Sequence, residues 1–328
     1  MKGVLNALLL GHSLDVVRCL GRGARVRLHV LGGDPLAPAR FSRHVRSFRV
    51  HDAGGDAWGE ERTVERVRRA VEETGADVVL PDLTPHARFV SEHRDALSRF
   101  VAVAPSPAPD VLDVVSDKWL LAEFLSRHGI GQPPTVLAAD DAAFERALRG
   151  LAFPVLLKPR RDLTLGRGIR RFESAEQLRA FLRENPEHSG GYVVQSFVRG
   201  HDVDCNVLCR EGEILAHTVQ RARTPSRRPY APPAVVEFVE DGQALDLVAG
   251  LVAALGYSGV AHIDMRRDEE SGRVGILEVN PRYWASLLGS LSAGVNFPHL
   301  HCLAAIGAPL PRPSYSKKRF LVKEHLRY

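Results

Sequence analysis

The chain has 328 residues, and its 45% hydrophobic and 25% charged residues exclude a mainly disordered protein. This length suits two or three sub-domains. The formal net charge of +5 is small and the basic residues are spread along the chain, which favours a small anionic substrate over a nucleic acid as the partner.

The first predicted element is a β-strand at residues 4–10, an apolar run that is too short to cross a bilayer. No signal-peptide cleavage pattern follows it, so we expect no membrane partner and a cytoplasmic location. The four cysteines form no C-x-x-C pair. We expect them to be small core or surface residues rather than metal ligands or disulfide partners.

Residues 1–113 predict a doubly wound α/β domain. Strands are expected at 4–10, 26–30 and 77–80, and helices at 14–20 and 63–73. Ligands of such units bind beyond the carboxyl ends of the strands, which here are the turns at 11–13, 32–34 and 81–84. His12 lies in the first of these turns and is a candidate for meeting a substrate.

A proline-rich segment at residues 104–109 is expected to be a linker. A helix at 116–128 follows, with Ser116 as its N-cap. The rest of the chain divides into a small lobe at 114–198 and a large lobe at 199–328. The small lobe is predicted to have strands at 155–158 and 192–198 and helices at 141–149 and 175–184. The large lobe is predicted to have strands at 203–209, 214–220, 260–266 and 273–279 and a helix at 245–255.

Three oxygen-bearing side chains are predicted to share one face of the hairpin that the last two strands form. Side chains alternate between the two faces of a strand, so the apolar neighbours and the polar residues separate. The core face would hold Ile263, Met265, Leu277 and Val279, and the other face Asp264, Glu278 and Asn280. Two carboxylates and an amide suit Mg²⁺. A solvated polar face is the alternative, but Arg282 just beyond the strand is placed to meet an anion and favours the metal.

Lys118 and Lys158 are the only lysines between residues 3 and 316. Lys158 ends an apolar strand, and Gly166-Arg167-Gly168 lies eight residues further on, in a loop long enough to fold back over it. Glycine N–H groups and a lysine charge suit phosphate oxygens. The pattern is neither a Walker loop nor G-x-G-x-x-G, so chance and an ordinary flexible hairpin are alternatives.

Six segments, taken in order, resemble the ATP-grasp superfamily, which includes D-alanine–D-alanine ligase, biotin carboxylase and carbamoyl-phosphate synthetase. They are D-K-W (117–119), F-P-V-L-L-K-P (153–159), G-R-G-I (166–169), V-V-Q-S-F-V-R-G (193–200), H-I-D-M (262–265) and I-L-E-V-N-P-R (276–282). The resemblance covers roughly residues 110–310. It implies a fold of the α/β and α+β classes, in which an N-terminal doubly wound α/β domain precedes a two-lobed ATP-grasp domain.

The resemblance implies ATP and Mg²⁺ as cofactors, with Mn²⁺ as an alternative ion, and a role for each matching residue. Lys118 and Lys158 would contact the phosphates, beneath a mobile loop that contains Gly166, Arg167 and Gly168. The adenine hinge would be Gln195, Ser196, Phe197 and Val198, and the ribose would meet Asp202. Magnesium would be held by Asp264, Glu278 and Asn280. Arg282 would steady the transferring phosphoryl group, which makes it and Lys158 the catalytic residues. Many relatives have a glutamate at the position of Ser196, which concerns side-chain contacts at the hinge and not its backbone.

The segment at 220–233 carries four arginines among prolines, namely Arg221, Arg223, Arg227 and Arg228. We predict that Arg221 and Arg223 bind a substrate anion together with Arg282, because the planar guanidinium grips carboxylates in two places. A solvated surface loop is the alternative. His299 and His301 are predicted to be structural, since no metal-ligand spacing accompanies them.

The implied reaction joins a small-molecule carboxylate to an amine through an acyl phosphate, with release of ADP and phosphate. A carboxylase-like or thiol-using enzyme of the same superfamily is one alternative, and a non-catalytic nucleotide-binding subunit is another. A dinucleotide-dependent oxidoreductase would rest on Gly11 alone, without the G-x-G-x-x-G fingerprint. The sequence leaves the oligomeric state open, a homodimer included.

Overall fold

The computed structural model describes residues 3–22, 25–51, 58, 61–139, 142–161, 168–226, 230–311 and 315–322. Within these ranges the strands form a parallel sheet of five strands and two antiparallel sheets of four and six strands. None of the helices in these ranges combines the length and the apolarity that crossing a bilayer requires.

The N-terminal sheet is a doubly wound α/β unit, as the sequence predicts. Its strands are β1 (Leu5–Leu10), β2 (Val26–Gly32), β3 (Val45–Val50), β4 (Val78–Pro81) and β5 (Ala102–Val103). Its helices are α1 (Leu14–Gly21), α2 (Glu61–Thr74), α3 (Thr84–Glu92) and α4 (Arg94–Leu97). The strand order is β3-β2-β1-β4-β5, so the carboxyl ends of β1 and β4 are neighbours at one edge. Strand β3 was not predicted.

The proline-rich segment is not a flexible linker, and that prediction is wrong. Residues Ala104 to Pro107 are buried, and the carbonyl oxygen of Pro105 accepts a hydrogen bond of 2.7 Å from Nε2 of His301. Proline lacks an N–H group but keeps its carbonyl, so such a segment can pack inside a protein when its oxygens find donors. His301 is therefore structural, as predicted.

Two helices connect the N-terminal unit to the small lobe, where the sequence predicted one. They are α5 (Pro109–Val115) and α6 (Lys118–Arg127). Ser116 ends α5 and is not the N-cap of the next helix; Asp117 caps α6 by accepting hydrogen bonds from the N–H groups of Trp119 and Leu120. Aspartate and serine are similarly good caps, so sequence alone does not choose between adjacent candidates.

The small lobe is an antiparallel sheet with two helices. Its strands are β6 (Thr135–Leu137), β7 (Val155–Pro159), β8 (Arg170–Phe172) and β9 (Tyr192–Ser196), and its helices are α7 (Ala142–Leu148) and α8 (Ala175–Glu184). The order β6-β9-β7-β8 places β7 and β9 at the centre. The apolar side chains of this lobe form a cluster of their own.

The large lobe is a six-stranded antiparallel sheet in the order β14-β13-β10-β11-β12-β15. Its strands are β10 (Gly200–Arg210), β11 (Glu213–Thr224), β12 (Val235–Val239), β13 (Gly259–Asp268), β14 (Val274–Asn280) and β15 (Arg319–Leu321). Its helices are α9 (Gly242–Leu255), α10 (Leu287–Ser292) and α11 (Phe297–Ala305). Helix α9 packs on one face and α10 and α11 lie on the other.

The N-terminal unit and the large lobe share one continuous apolar core. Val16 and Leu20 of α1 and Leu9 of β1 belong to the same buried cluster as Trp284 and Leu300. The amide of Asn296 also donates a hydrogen bond of 2.9 Å to the carbonyl oxygen of Cys19. The first unit is therefore packed onto the large lobe, and all four cysteines are buried and free.

Candidate active site

Hairpin β13–β14 brings the predicted metal ligands to one place. Asp264 lies opposite Glu278 in the strand register, and Nδ2 of Asn280 donates a hydrogen bond of 2.7 Å to Oδ2 of Asp264. The predicted core residues are corrected at one position, since Ile276 joins Val279 in the core and Leu277 is only half-buried. The register shifts at this point, and a bulge changes which side chains face inward.

Lys118 and Lys158 both lie beside these carboxylates, although they come from different elements. Nζ of Lys118, at the start of α6, is 3.2 Å from Oε1 of Glu278. Nζ of Lys158, near the end of β7, donates a hydrogen bond of 2.7 Å to Oε1 of Gln195 on the neighbouring strand. The two rare lysines therefore converge on the same polar site.

The start of α6 is fixed by contacts with the residue that follows β7. The backbone N–H of Lys118 donates to the carbonyl oxygen of Arg160 over 2.9 Å, and the guanidinium of Arg160 forms an ion pair of 2.7 Å with Asp117. Burial works against the charge of Asp117, but the hydrogen bonds from Arg160 and from the helix N–H groups hold its pKa below the ordinary value. These contacts align Lys118 with Lys158.

The charge of Lys158 depends on its neighbours. Burial lowers its pKa to about 8, while the carboxylates of Glu278 and Asp264 favour the charged form and Lys118 opposes it. A buried lysine between two carboxylates and a second lysine is suited to holding an anionic chain such as a phosphate ester.

The predicted phosphate loop is described in part. Gly166 and Arg167 lie outside the described residues, whereas Gly168 has a positive φ of 79°. A Cβ on Gly168 would lie 3.0 Å from Cγ of Pro159, the residue after Lys158. The loop therefore returns to the end of β7, as its length predicts, and glycine suits both the φ value and the close approach.

The predicted adenine hinge has several backbone groups already engaged. The N–H groups of Ser196 and Phe197 donate to Pro134 and Pro154, and the carbonyl of Val198 accepts from Nε of Arg266 over 2.6 Å. The side chain of Gln195 turns toward Lys158 instead of the hinge edge. A base bound here would have to use the remaining backbone groups. Asp202, the predicted ribose contact, accepts from Nη1 of Arg266 over 2.5 Å.

Polar residues on β10 and β13 extend the site beyond the predicted set. Asp204 lies directly opposite Asp264, and Nε2 of His262 is 3.2 Å from Oδ1 of Asp264. Burial raises the pKa of Asp204 to about 7, and the nearby charge of Asp264 raises it further. Alternation of polar and apolar residues along 203–207 is the sequence signal that could have revealed Asp204 and Asn206.

This polar face reaches the helix that follows the hairpin. Nδ1 of His262 is 2.6 Å from Oδ1 of Asn206, whose amide donates to Thr218. Gln220 donates to Oδ2 of Asp204 over 3.0 Å and accepts from Ser286 over 2.7 Å. Buried polar groups that are joined in this way hold one another in fixed orientations, and the carboxylates of the site are held with them.

Comparisons with known proteins agree with this arrangement. Residues 189–326 match the family model described as "ATP-grasp in the biosynthetic pathway with Ter operon". The N5-carboxyaminoimidazole synthetase of Staphylococcus aureus, solved with ADP, superposes with a TM-score of 0.72 at 15% identity, over 98% of this chain and 81% of that chain.

Two further structures place the same fold over nearly the whole chain. The biotin carboxylase domain dimer of Hydrogenobacter thermophilus 2-oxoglutarate carboxylase, in complex with MgADP, ADP and bicarbonate, gives a TM-score of 0.71 at 18% identity, over 95% of this chain and 72% of that chain. The L-amino acid ligase of Bacillus licheniformis gives 0.68 at 19% identity, over 93% of this chain and 75% of that chain. The chain has the ATP-grasp fold.

The N-terminal unit of this ATP-grasp chain has no room for a dinucleotide phosphate at its first turn. A carboxylate oxygen of Asp82 accepts from the N–H groups of His12 and Ser13 over 3.0 and 2.7 Å, at the start of α1. In dinucleotide-binding domains this position receives the pyrophosphate. Here the chain's own carboxylate fills it, which opposes the oxidoreductase alternative.

The predicted substrate arginines have a described partner on the edge of the large sheet. Arg221 forms an ion pair of 2.7 Å with Glu237 of β12, and Nε of Arg223 is 3.7 Å from the same carboxylate. Adjacent residues of a strand point to opposite faces, so Arg221 points away from the face on which Gln220 reaches Asp204. Arg227 and Arg228 lie outside the described residues. A role in substrate binding stays a prediction.

We expect that replacing both Arg221 and Arg223 with alanine leaves the Kd for MgADP unchanged, because neither contacts Lys118, Lys158 or Glu278. If they bind a substrate, the KM of the carboxylate or the amine rises, and calorimetry and steady-state kinetics separate the two effects. Arg319→Ala is the matched control, since Arg319 also pairs with Glu237. A loss of nucleotide affinity in the double variant would contradict the prediction.

Proposed function

We propose that this protein is an ATP-dependent ligase that activates a carboxylate as an acyl phosphate and joins it to an amine. The observation that carries the proposal is the convergence of Lys118 and Lys158 with Asp264, Glu278 and Asn280 between the small and large lobes. Nucleotide in the related synthetase and MgADP in the related carboxylase domain support ATP and Mg²⁺ as cofactors.

The residues present fit a magnesium ion. Asp264 and Glu278 offer carboxylate oxygens, and Asn280 offers an amide oxygen after its amide turns over, since Nδ2 now donates to Asp264 and Oδ1 accepts from Arg282. The ion would neutralise phosphate oxygens and hold them in line for transfer. Mn²⁺ has the same preference for oxygen ligands and is the expected substitute.

In the proposed reaction a carboxylate oxygen attacks the γ-phosphorus, the bond to the β–γ bridging oxygen breaks, and ADP leaves. The amine then attacks the carbonyl carbon of the acyl phosphate, loses a proton, and expels inorganic phosphate. Lys158 and Lys118 hold the phosphates and Arg282 steadies the group that moves. These roles are assigned by resemblance and are supported by the proximity of Arg282 to Asn280, 3.2 Å between Nη2 and Oδ1.

Isotope transfer tests the reaction. A carboxylate substrate labelled with ¹⁸O should deliver one labelled oxygen to the inorganic phosphate, because that oxygen bonds to the γ-phosphorus and stays with it. Mass spectrometry of the phosphate and of the nucleotide is the measurement. Label in AMP, with pyrophosphate as the other product, would show attack at the α-phosphorus and would reject both the mechanism and the roles given to these residues.

A further inference from the structure

A buried carboxylate lies where the N-terminal unit meets the large lobe. Asp82 follows β4 directly and is 2% exposed. Its Oδ2 accepts from the N–H groups of His12 and Ser13, whereas its Oδ1 is buried and has no hydrogen-bond partner among the described residues. A buried carboxylate oxygen without a donor is costly, and native structures leave few such atoms.

The same carboxylate lines a small cavity together with Arg282. The cavity holds about 10 Å³, and the polar atoms of the other side chains in its wall are engaged: Ser106 donates to Ala104, and His301 bonds to Pro105 and Tyr283. This volume corresponds to about one water-sized group. Asp82 and Arg282 carry opposite charges across it without forming an ion pair among the described residues.

The chemistry of this cavity selects its occupant. The group next to Asp82 must be small and must donate hydrogen bonds, and a cation is favoured because it would compensate the buried charge. Arg282 beside it offers a guanidinium to a carboxylate or an acyl phosphate. Opposite charges that lie this close belong together in a small zwitterion, such as an α-amino acid, which carries an ammonium and a carboxylate on one carbon.

We propose that the carboxylate substrate is an α-amino acid whose ammonium group binds Asp82 while its carboxylate lies at Arg282 for activation. The proposal rests on the proposed function, since it names the acid that is phosphorylated. It assigns a recognition role to the carboxyl-end edge of the N-terminal sheet. Gly11 supports this geometry, because a Cβ on it would lie 2.6 Å from Cβ and Oδ2 of Asp82 and would displace that carboxylate.

The test compares amino acids with the same acids lacking the amino group. The pairs are alanine with propionate, aspartate with succinate, and phenylalanine with 3-phenylpropionate. Binding is measured by calorimetry in the presence of Mg²⁺ and a non-hydrolysable ATP analogue, and activation is measured as hydroxamate formed with ATP and hydroxylamine. We expect at least one amino acid to bind and react, and its partner without the amino group to lose roughly 10- to 100-fold, the range of a charge-assisted hydrogen bond.

Asp82→Asn should remove most of this discrimination. The amino acid should lose roughly 10- to 100-fold in kcat/KM while the KM for ATP changes less than about twofold. Asp77→Asn is the matched control: Asp77 precedes the same strand at its other end and also accepts a backbone N–H, from Asn6 over 2.7 Å. Its discrimination should equal that of the wild type.

Several outcomes would overturn the proposal. Equal use of both members of every pair would do so while the proposed function survived, because acids would still be activated. Failure of every amino acid to bind would do so as well. An Asp82→Asn variant that is less heat-stable yet keeps full discrimination would show that Asp82 only caps α1. The wild-type comparison needs no variant, so it decides even if Asp82→Asn does not fold. AMP as product would instead reject the proposed function.

Discussion

Glu278→Gln is expected to fold normally and to lose turnover, with kcat at least about 1,000-fold below the wild type. Glu278 lies opposite Asp264 and pairs with Lys118, so the change removes one anionic ligand of the proposed magnesium ion and frees a phosphate-binding lysine at once. Metal stabilisation of the transferring phosphoryl group accounts for several kcal/mol, and each 1.36 kcal/mol is tenfold in rate.

Steady-state ADP release at saturating Mg²⁺ measures this effect, and thermal unfolding checks the fold. Glu270→Gln is the matched control, since Glu270 is an exposed residue in the turn of the same hairpin. The control should retain the wild-type rate. A Glu278→Gln variant that also retains it would remove this residue from the metal site.

Lys158→Ala should raise the KM for ATP roughly 10- to 100-fold, more than it raises the KM for the carboxylate. The lost contact is a charge-assisted one, worth about 1.5–3 kcal/mol. Because the pKa of Lys158 is lowered to about 8, the nucleotide-free protein carries this charge below pH 8 and loses it above. The kcat/KM for ATP should therefore fall as the pH rises through 8, and the variant should lack this fall.

Initial rates over a range of ATP concentration and pH are the measurement. Exposed Lys317→Ala removes a lysine far along the chain and should change neither parameter. Lys158→Arg, which keeps its charge at these pH values, should retain the wild-type value of kcat/KM above pH 8 if charge alone decides. Unchanged kcat and KM for ATP in Lys158→Ala would exclude Lys158 from the site.

Much of the site could be predicted because period-two alternation converts spacing into direction. The separation of Asp264, Glu278 and Asn280 from the apolar residues of their strands is enough to place them on one face. The rarity of Lys118 and Lys158 pointed to the same site without any geometry. The order of the motifs added the lobes, and the observed strands and helices follow that order.

The rest depended on contacts that no local pattern contains. Leu277 was placed in the core because alternation carries no sign of a bulge, which depends on how β13 and β14 register. The proline-rich segment was taken for a linker because its burial needs His301, nearly 200 positions away in sequence. Asp82 received no role from the sequence, since its isolation is visible only once Arg282 lies across the cavity.

The shared core of the N-terminal unit and the large lobe has a consequence for how the chain is made. The carbonyl of Cys19 waits for the amide of Asn296, which is synthesised 277 residues later. At about 5–20 residues per second, the ribosome needs roughly 15–55 s to supply it. During that interval the apolar face of α1 lacks Trp284 and Leu300, so the nascent N-terminal unit exposes a surface that chaperones recognise.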